Sequence, residues 1–115
     1  MFDLAKILTS YDFHCCGEIE LQEAIAGILT AEGIAFEREV KLNKTDRIDF
    51  MIGAAGVELK IGHSYSDVVR QLHRYSAVDR IEELVLITTK LRHSMPDTIG
   101  EKKLTTVQLA LMISL

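Results

Sequence analysis

The chain has 115 residues, of which 48% are hydrophobic and 26% are charged, and its formal net charge is −4. A chain of this size and composition can build a core without disulfides or structural metals, so we expect one globular domain over 1–115. The acidic balance argues against a general nucleic-acid coat protein, which would be basic, but it permits a local basic rim around an acidic site.

The cysteines and the apolar segments restrict the class further. Cys15 and Cys16 are the only cysteines and are adjacent. That spacing suits neither a disulfide nor a zinc site, and a reducing cytoplasm is expected. The N-terminus lacks the pattern of a signal peptide and no apolar run approaches the length of a membrane span, so we expect no membrane partner. With a single proline and no repeats, no linker is indicated.

Two helices open the chain. Residues 2–9 predict a short amphipathic helix, and turn-forming residues follow to position 17. Residues 18–32 predict a longer helix that ends at Gly33, because glycine favours a helix stop. Its apolar stripe consists of Leu21, Ile25, Ile28 and Leu29.

One acid on the second helix points inward. At about 100° per residue, Glu18 lies close to the centre of the apolar stripe, whereas Glu20 and Glu23 point away from it. A carboxylate on a buried stripe is costly unless it meets a partner. Glu18 therefore either meets a cation or a donor in the body of the protein, or it interacts with the dipole at the helix N-terminus.

Alternating residues then predict three strands. Residues 35–42 form the first strand and 43–46 a polar turn, and 47–61 predict a β-hairpin around a Gly-Ala-Ala-Gly break. The apolar residues on its two inward faces are Ile48, Phe50 and Ile52, and Val57, Leu59 and Ile61.

The polar face of the hairpin concentrates charge. It carries Arg47 and Asp49 on one strand, and Glu58 and Lys60 on the other. If Ile52 lies opposite Val57, Asp49 and Glu58 become diagonal neighbours, roughly 7 Å apart at the backbone. This arrangement depends on the register, since a slip of one residue would place the two carboxylates on opposite faces.

The second half of the chain predicts a helix and further strands. Ser66 predicts a helix N-cap, and the helix runs to about Val78 with an inward stripe of Val68, Val69 and Leu72. Gln71 and Tyr75, one turn apart, lie at the edge of that stripe and can reach the polar face of the hairpin. Arg70 and Arg74 point outward or sideways.

The segment after this helix is less regular. Residues 84–89 are almost entirely apolar, which is typical of a central strand covered on both faces. Residues 90–103 predict a loop, and His93 within it is taken as a surface residue because it has no partner at metal-ligand spacing. In 105–115 the alternation favours a strand, although a helix is also compatible with the pattern.

Two carboxylates and a lysine on one small face suit metal-assisted phosphate chemistry. Mg²⁺ prefers oxygen ligands and usually takes one or two carboxylates together with water and phosphate oxygens. A lysine beside such an ion can position a water or stabilise a pentavalent phosphate. The simpler alternative is a solvated strand face on which a glutamate and a lysine pair across the ladder.

In type and order, these elements and acids resemble the PD-(D/E)XK nuclease superfamily. The matching residues are Glu18 in Glu-x-x-Leu-Gln, Asp49 in Arg-Ile-Asp-Phe, Glu58-Leu59-Lys60, and Gln71 and Tyr75 in Gln-x-x-x-Tyr. The resemblance spans about residues 18–90 and includes the small stand-alone members, such as VRR-NUC nucleases and Holliday-junction resolvases. One departure is that no proline precedes Asp49.

The resemblance implies a fold and an activity. The fold would be a restriction-endonuclease-like α/β core, with a mixed sheet of four or five strands flanked by helices in the order αβββαβ. The segments 1–17 and 91–115 would flank the core of 18–90. The activity would be Mg²⁺- or Mn²⁺-dependent hydrolysis of DNA, with RNA not excluded as a substrate.

The resemblance also assigns roles to residues. Asp49, Glu58, the Leu59 carbonyl and Glu18 would hold the metal, and Lys60 would handle the attacking water. Gln71 and Tyr75 would hold a phosphate or the lysine head. We take Arg47, His63, Arg70 and Arg74 as candidate nucleic-acid contacts.

Two other functions remain open at this stage. The domain is small and has no basic stripe, so it could depend on a partner chain to hold nucleic acid. In that case it could bind nucleic acid with little or no turnover. It could also be an assembly subunit of a larger DNA-processing complex, with its apolar C-terminal stretch at an interface. A homodimer is expected from the small stand-alone relatives.

Overall fold

The computed structural model describes residues 3–14, 17–89 and 94–111. Its elements, in chain order, are α1 (Leu4–Thr9), α2 (Glu18–Ala31), β1 (Glu37–Lys41), β2 (Arg47–Ile52), β3 (Ala55–Lys60), α3 (Tyr65–Ser76), β4 (Glu83–Thr88), β5 (Thr98–Ile99) and β6 (Lys102–Gln108). Cys15, Cys16, His93 and the last part of the predicted C-terminal strand, 112–115, lie outside the described residues.

The strands form one mixed sheet in the order β1-β2-β3-β4-β6-β5. β1, β2 and β3 are antiparallel neighbours, whereas β3, β4 and β6 run parallel and β5 pairs antiparallel with β6. The predicted α/β class is confirmed, and α2 to β4 follow the predicted order αβββαβ.

The sheet has six strands, not the predicted four or five, and 90–103 is not simply a loop. β5 and the start of β6 lie in that segment and form a hairpin around Gly100, whose φ of 59° is in the left-handed region. Charged and polar residues dominate the segment, so the two buried positions at Ile99 and Leu104 form too weak a pattern to predict strands.

Helices cover both faces of the sheet. Residues of α1 and α2 pack in one apolar cluster with Phe50, Val57 and Val107, and residues of α3 pack in a second cluster with Met51 and Leu84. The predicted stripe of α2 is confirmed, because all four of its residues are buried. Coverage on both faces explains why β4 is almost continuously apolar.

The hairpin pairs in a different register from the predicted one. Phe50 lies opposite Val57 and Ile52 opposite Ala55, a shift of two residues from the predicted pairing of Ile52 with Val57. The reason is the turn, which uses only residues 53–54, with φ 59° at Gly53, so that Ala55 already belongs to β3. A shift of two preserves the alternation of faces, so the register error does not itself separate the two acids.

The apolar face of β2 also differs from the prediction. Phe50 and Ile52 pack on the α2 side, but Ile48 packs on the α3 side with Val40 of β1. The change of face occurs at the level of Glu39, the one non-glycine residue with positive φ in the described part of the chain, at 50°. The β2–β3 ladder also ends here, at Phe50 and Val57, so the strict alternation on which the prediction depended fails along β2 itself.

Helix α3 begins earlier than predicted. Its N-cap is Ser64, whose hydroxyl accepts a hydrogen bond from the Asp67 N–H at 3.2 Å, and Ser66 lies within the first turn. Tyr75, near the other end of the helix, is fully buried. No helix in the described ranges is long and apolar enough to cross a membrane.

Candidate functional site

Asp49 and Glu58 meet where strands β2 and β3 separate. The backbone hydrogen bonds between these strands end at Phe50 and Val57. Beyond that point, side chains of one strand bond to the backbone of the other. The Leu59 N–H donates to Asp49 Oδ2 at 2.8 Å, and the Asp49 N–H donates to Glu58 Oε1 at 3.2 Å. Each carboxyl group also affects the ionisation of the other. Hence the acids are direct cross-strand neighbours instead of the predicted diagonal ones.

Helices from opposite faces of the sheet support the two acids. Asp49 Oδ1 accepts a hydrogen bond from Gln22 of α2 at 3.1 Å, and Glu58 Oε2 lies 3.0 Å from the Tyr75 hydroxyl of α3. The carboxyl groups therefore approach each other through the opening between β2 and β3, and they do not share the solvated polar face that the sequence predicted.

Glu58 is the more perturbed acid. Its residue is only 3% exposed. Burial, the charge of Asp49 and the hydrogen bond with Asp49 raise the pKa of Glu58 to about 8, against smaller opposing effects from Lys60 and Tyr75. Glu58 without a bound cation is therefore mostly protonated at neutral pH.

Asp49 is less perturbed because donors surround it. Burial raises its pKa, and the charge of Glu39 acts in the same direction. The hydrogen bond from Glu58, the Leu59 N–H and the charge of Lys60 each act to lower the pKa. The pKa of Asp49 is nevertheless raised above its ordinary value, because burial outweighs these donors.

Helix α3 contributes a hydroxyl and an amide to the site, as predicted for Gln71 and Tyr75. Gln71 Nε2 donates to the Tyr75 hydroxyl at 2.6 Å, and that hydroxyl also lies 2.9 Å from the Arg47 carbonyl. Burial, followed by the charge of Glu58, raises the pKa of Tyr75, so the hydroxyl stays neutral. It therefore holds the side chain of Glu58 in place.

Lys60 lies two residues after Glu58 on strand β3. Its Nζ is 3.8 Å from Glu58 Oε2, and its side chain is 17% exposed. The ammonium group is therefore close to the acids but still reaches solvent. The site lies at the carboxyl ends of the parallel strands, the edge at which α/β sheets usually bind ligands.

Glu18 contacts the segment that follows Lys60. Its Oε1 accepts hydrogen bonds from the Ile61 N–H and from His63 Nε2, both at 2.6 Å. The contact confirms that Glu18 faces the body of the protein, since Glu20 and Glu23 are exposed. The structure thus joins Glu18 to His63 and not to the Asp49–Glu58 pair.

The candidate basic contacts lie on β2, on α3 and, for His63, on the loop between β3 and α3. Arg74 Nε pairs with the buried Asp46 at 3.2 Å, and Arg70 pairs with Asp67 on its own helix at 3.4 Å. Arg47 is exposed at the start of β2. Residues of α3, including both arginines and His73, line an open groove on the outer side of the helix.

Sequence reasoning overlooked the residues that support Asp49 from α2 and β1. Gln22, Arg38 and Glu39 form one hydrogen-bonded group that reaches Asp49. Gln22 was part of the Glu-x-x-Leu-Gln motif, four residues after Glu18, and this spacing on one helical face was the available signal. Arg38 and Glu39 gave no such signal, because their positions depend on the irregular strand β1.

The donor set fits a hard divalent ion in part. Asp49, Glu58 and the Leu59 carbonyl supply the oxygen atoms that Mg²⁺ and Mn²⁺ prefer. The pKa values of both acids are raised, mainly by burial, so a divalent cation that binds here would favour their charged forms. Among the described residues, no group of three or more His, Cys, Asp or Glu side chains is arranged to hold a metal. Water or substrate oxygens would have to complete the shell.

Comparisons with known proteins returned no relative. No model of a known protein family matches the chain. No curated protein matches it, and no solved structure does. The function must therefore be inferred from the site itself.

Proposed function

We propose that this protein is a metal-dependent nuclease that hydrolyses DNA phosphodiester bonds, with a restriction-endonuclease-like fold of the PD-(D/E)XK type. The observation that carries the proposal is the contact between Asp49 and Glu58, with the Lys60 ammonium group 3.8 Å from Glu58. The mixed sheet, with helices on both faces and the acids at the carboxyl ends of its parallel strands, supports the same assignment.

Each residue of the site has its own role in the proposed reaction. Asp49, Glu58 and the Leu59 carbonyl would hold Mg²⁺ or Mn²⁺, which supplies a water of lowered pKa and offsets charge on the phosphate. Lys60 donates hydrogen bonds to the attacking water or to a phosphate oxygen, because its head is near the acids and still accessible. Tyr75 and Gln71 fix the side chain of Glu58. Glu18 and His63 hold the segment after Lys60.

DNA would approach along exposed basic residues. Arg47, Arg70, Arg74 and His63 remain the proposed contacts, and RNA remains a possible substrate. Arg70 and Arg74 already pair with acids, so a DNA phosphate would have to share or replace these pairings. We propose that the protein works in the cytoplasm, as a homodimer or with a partner chain that supplies further grip.

A cleavage assay tests the proposal. Single-stranded, duplex and branched DNA are incubated with wild-type protein and Mg²⁺ or Mn²⁺, in parallel with Asp49→Asn and Lys60→Ala. We expect the wild type to cut at least one substrate and each variant to be slower by about 10²-fold or more, since each loses a group that acts in the transition state.

The matched control is Lys103→Ala, which removes an exposed lysine on β6 and should leave the rate unchanged. The proposal fails if the wild type cuts none of the substrates with either metal. It also fails if Asp49→Asn and Lys60→Ala cut as fast as the control.

One observation favours a second candidate, a nucleic-acid-binding or assembly subunit with weak or no catalysis. Glu58 is almost completely buried, and its carboxyl group already bonds to Asp49 and Tyr75. A ligand would have to displace these contacts. This candidate predicts DNA binding that weakens steeply with salt, with no turnover under conditions in which the protein is folded.

A further inference from the structure

Gln22 on helix α2 has a complete set of partners around one side-chain amide. Its Nε2 donates to Glu39 Oε1 at 2.9 Å and to Asp49 Oδ1 at 3.1 Å. Its Oε1 accepts a hydrogen bond from the Arg38 guanidinium at 2.7 Å. The amide therefore connects three charged side chains, of which one is an acid of the candidate site.

The orientation of this amide follows from the chemistry of its partners. Arg38 offers only donors, so the atom facing it must be the amide oxygen. Ionised carboxylates offer only acceptors, so the atom facing Glu39 and Asp49 must be the nitrogen. A flipped amide would lose all three hydrogen bonds, and Gln22 is consequently a donor to Asp49 in any satisfied arrangement.

Arg38 is itself held in place. One terminal nitrogen of its guanidinium donates to both Gln22 and Glu23, the latter at 2.8 Å. The guanidinium lies 5.9 Å from the ring centroid of Phe50, which is fully buried. An anchored arginine keeps the Gln22 oxygen in one position, and this fixes the direction of the amide nitrogen as well.

Glu39 explains why a neutral donor is needed at this point. The register of β1 and β2 on either side places Glu39 opposite Asp49, and the charge of Glu39 acts on Asp49. Two adjacent carboxylates repel each other unless a donor lies between them. The two hydrogens of Gln22 Nε2 satisfy both acids at once.

We propose that Gln22 is the positioning residue for Asp49, a role that rests on the proposed function. With Oδ1 bonded to Gln22 and Oδ2 bonded to the Leu59 N–H, the Asp49 carboxylate cannot rotate freely. Its remaining lone pairs would then be available in a fixed orientation to a divalent ion. Outer donors of this kind typically contribute 10–100-fold to metal affinity or activity.

The test compares Gln22→Met with wild type. Methionine keeps the length and the helical preference of glutamine but cannot donate. We expect the dissociation constant for Mn²⁺, measured by calorimetry without DNA, to rise about 10–100-fold. We expect kcat to fall by a similar factor with KM for DNA little changed, and the thermal midpoint to fall modestly because Glu39 and Asp49 lose the donor between them. A role in packing alone would lower the midpoint and leave Mn²⁺ affinity intact.

The control variant is Gln108→Met, the same substitution at an exposed position at the end of β6. It should leave every one of these measurements at its wild-type value. Wild-type Mn²⁺ affinity in folded Gln22→Met would overturn the positioning role. So would an equal loss of affinity in the control.

A metal-free measurement separates this inference from the proposed function. The Leu59 amide proton reports on Asp49, since it donates to Oδ2. In Gln22→Met, but not in Gln108→Met, its NMR chemical shift and its exchange rate should change. If the wild type neither binds Mn²⁺ nor cuts DNA, the proposed function fails, and the Leu59 amide alone decides whether Gln22 positions Asp49. An unchanged amide then refutes the positioning role too.

Discussion

At the scale of the residue, Glu58 combines deep burial with a direct acidic neighbour. Desolvation and the charge of Asp49 both favour its protonated form. A carboxyl group kept neutral in this way resembles the shared-proton arrangement of other acid pairs, in which one group holds the proton and the other the charge. The consequence is a measurable dependence of stability on pH.

We expect the free energy of unfolding of the metal-free protein to fall as the pH rises from about 5 to about 8. The folded pKa of Glu58 is raised to about 8 from an ordinary value of 4.5, so the folded state binds more protons than the unfolded state in this range. The sign is therefore a loss of stability with rising pH, of at most about 1.4 kcal/mol per pH unit. Urea denaturation at several pH values measures it.

The variant Glu58→Gln should remove most of this slope, because an amide does not titrate. The control Glu101→Gln changes the same charge in the exposed turn before β6 and should keep the wild-type slope. A wild-type stability that rises between pH 5 and pH 8 would contradict the assignment of the proton to Glu58.

At the scale of the element, loop lengths and caps decide where the site residues lie. The two-residue turn of the hairpin brings Asp49 opposite Glu58, and Ser64, instead of Ser66, caps α3. Both features involve shifts of two residues from the pattern in the sequence. In both cases neighbouring residues could have formed the same turn or cap, so the sequence did not distinguish between the two positions.

The N-cap of α3 can be tested with two serines. Ser64→Ala removes the hydroxyl that accepts the Asp67 N–H and should cost about 1 kcal/mol of stability. Ser66→Ala lies in the first turn and should change stability by less than about 0.5 kcal/mol. Chemical denaturation of both variants measures the difference. Equal losses, or a larger loss for Ser66→Ala, would show that the helix begins elsewhere.

At the scale of the whole molecule, two apolar clusters hold the sheet between α2 and α3. The acids thereby receive partners from both layers: Gln22 supports Asp49 and Tyr75 supports Glu58. A cation bound between the acids would connect the two layers through the sheet. Since the unfolded chain has no such site, binding should stabilise the entire domain.

We therefore expect Mn²⁺ to raise the thermal midpoint of the wild type. Saturation at 100 times the dissociation constant corresponds to about 2.7 kcal/mol of added stability. The double variant Asp49→Asn/Glu58→Gln should show no increase, because it lacks both charged ligands. Differential scanning calorimetry with and without Mn²⁺ measures the effect. An equal increase in the double variant would place the ion elsewhere.

Much of the architecture was predictable from local pattern. The period of 3.6 in α2 identified its buried face, and the alternation in 47–61 identified the hairpin. The apolar run of β4 identified a strand covered on both sides. These signals are strong because most residues obey the period of their own element. Ile48 escaped prediction because β2 changes face between Ile48 and Phe50, where its ladder with β3 ends.

The sequence by itself determined the α/β class, the order of the elements from α2 to β4, and the acids and lysine that carry the proposed chemistry. Only the tertiary structure decided that Asp49 directly faces Glu58, that Glu18 bonds to His63, and that Gln22 supports Asp49. The physical reason is that period and composition describe the environment of one element at a time. The contacts of the site depend on register, on a left-handed residue and on side chains that meet from four separate elements.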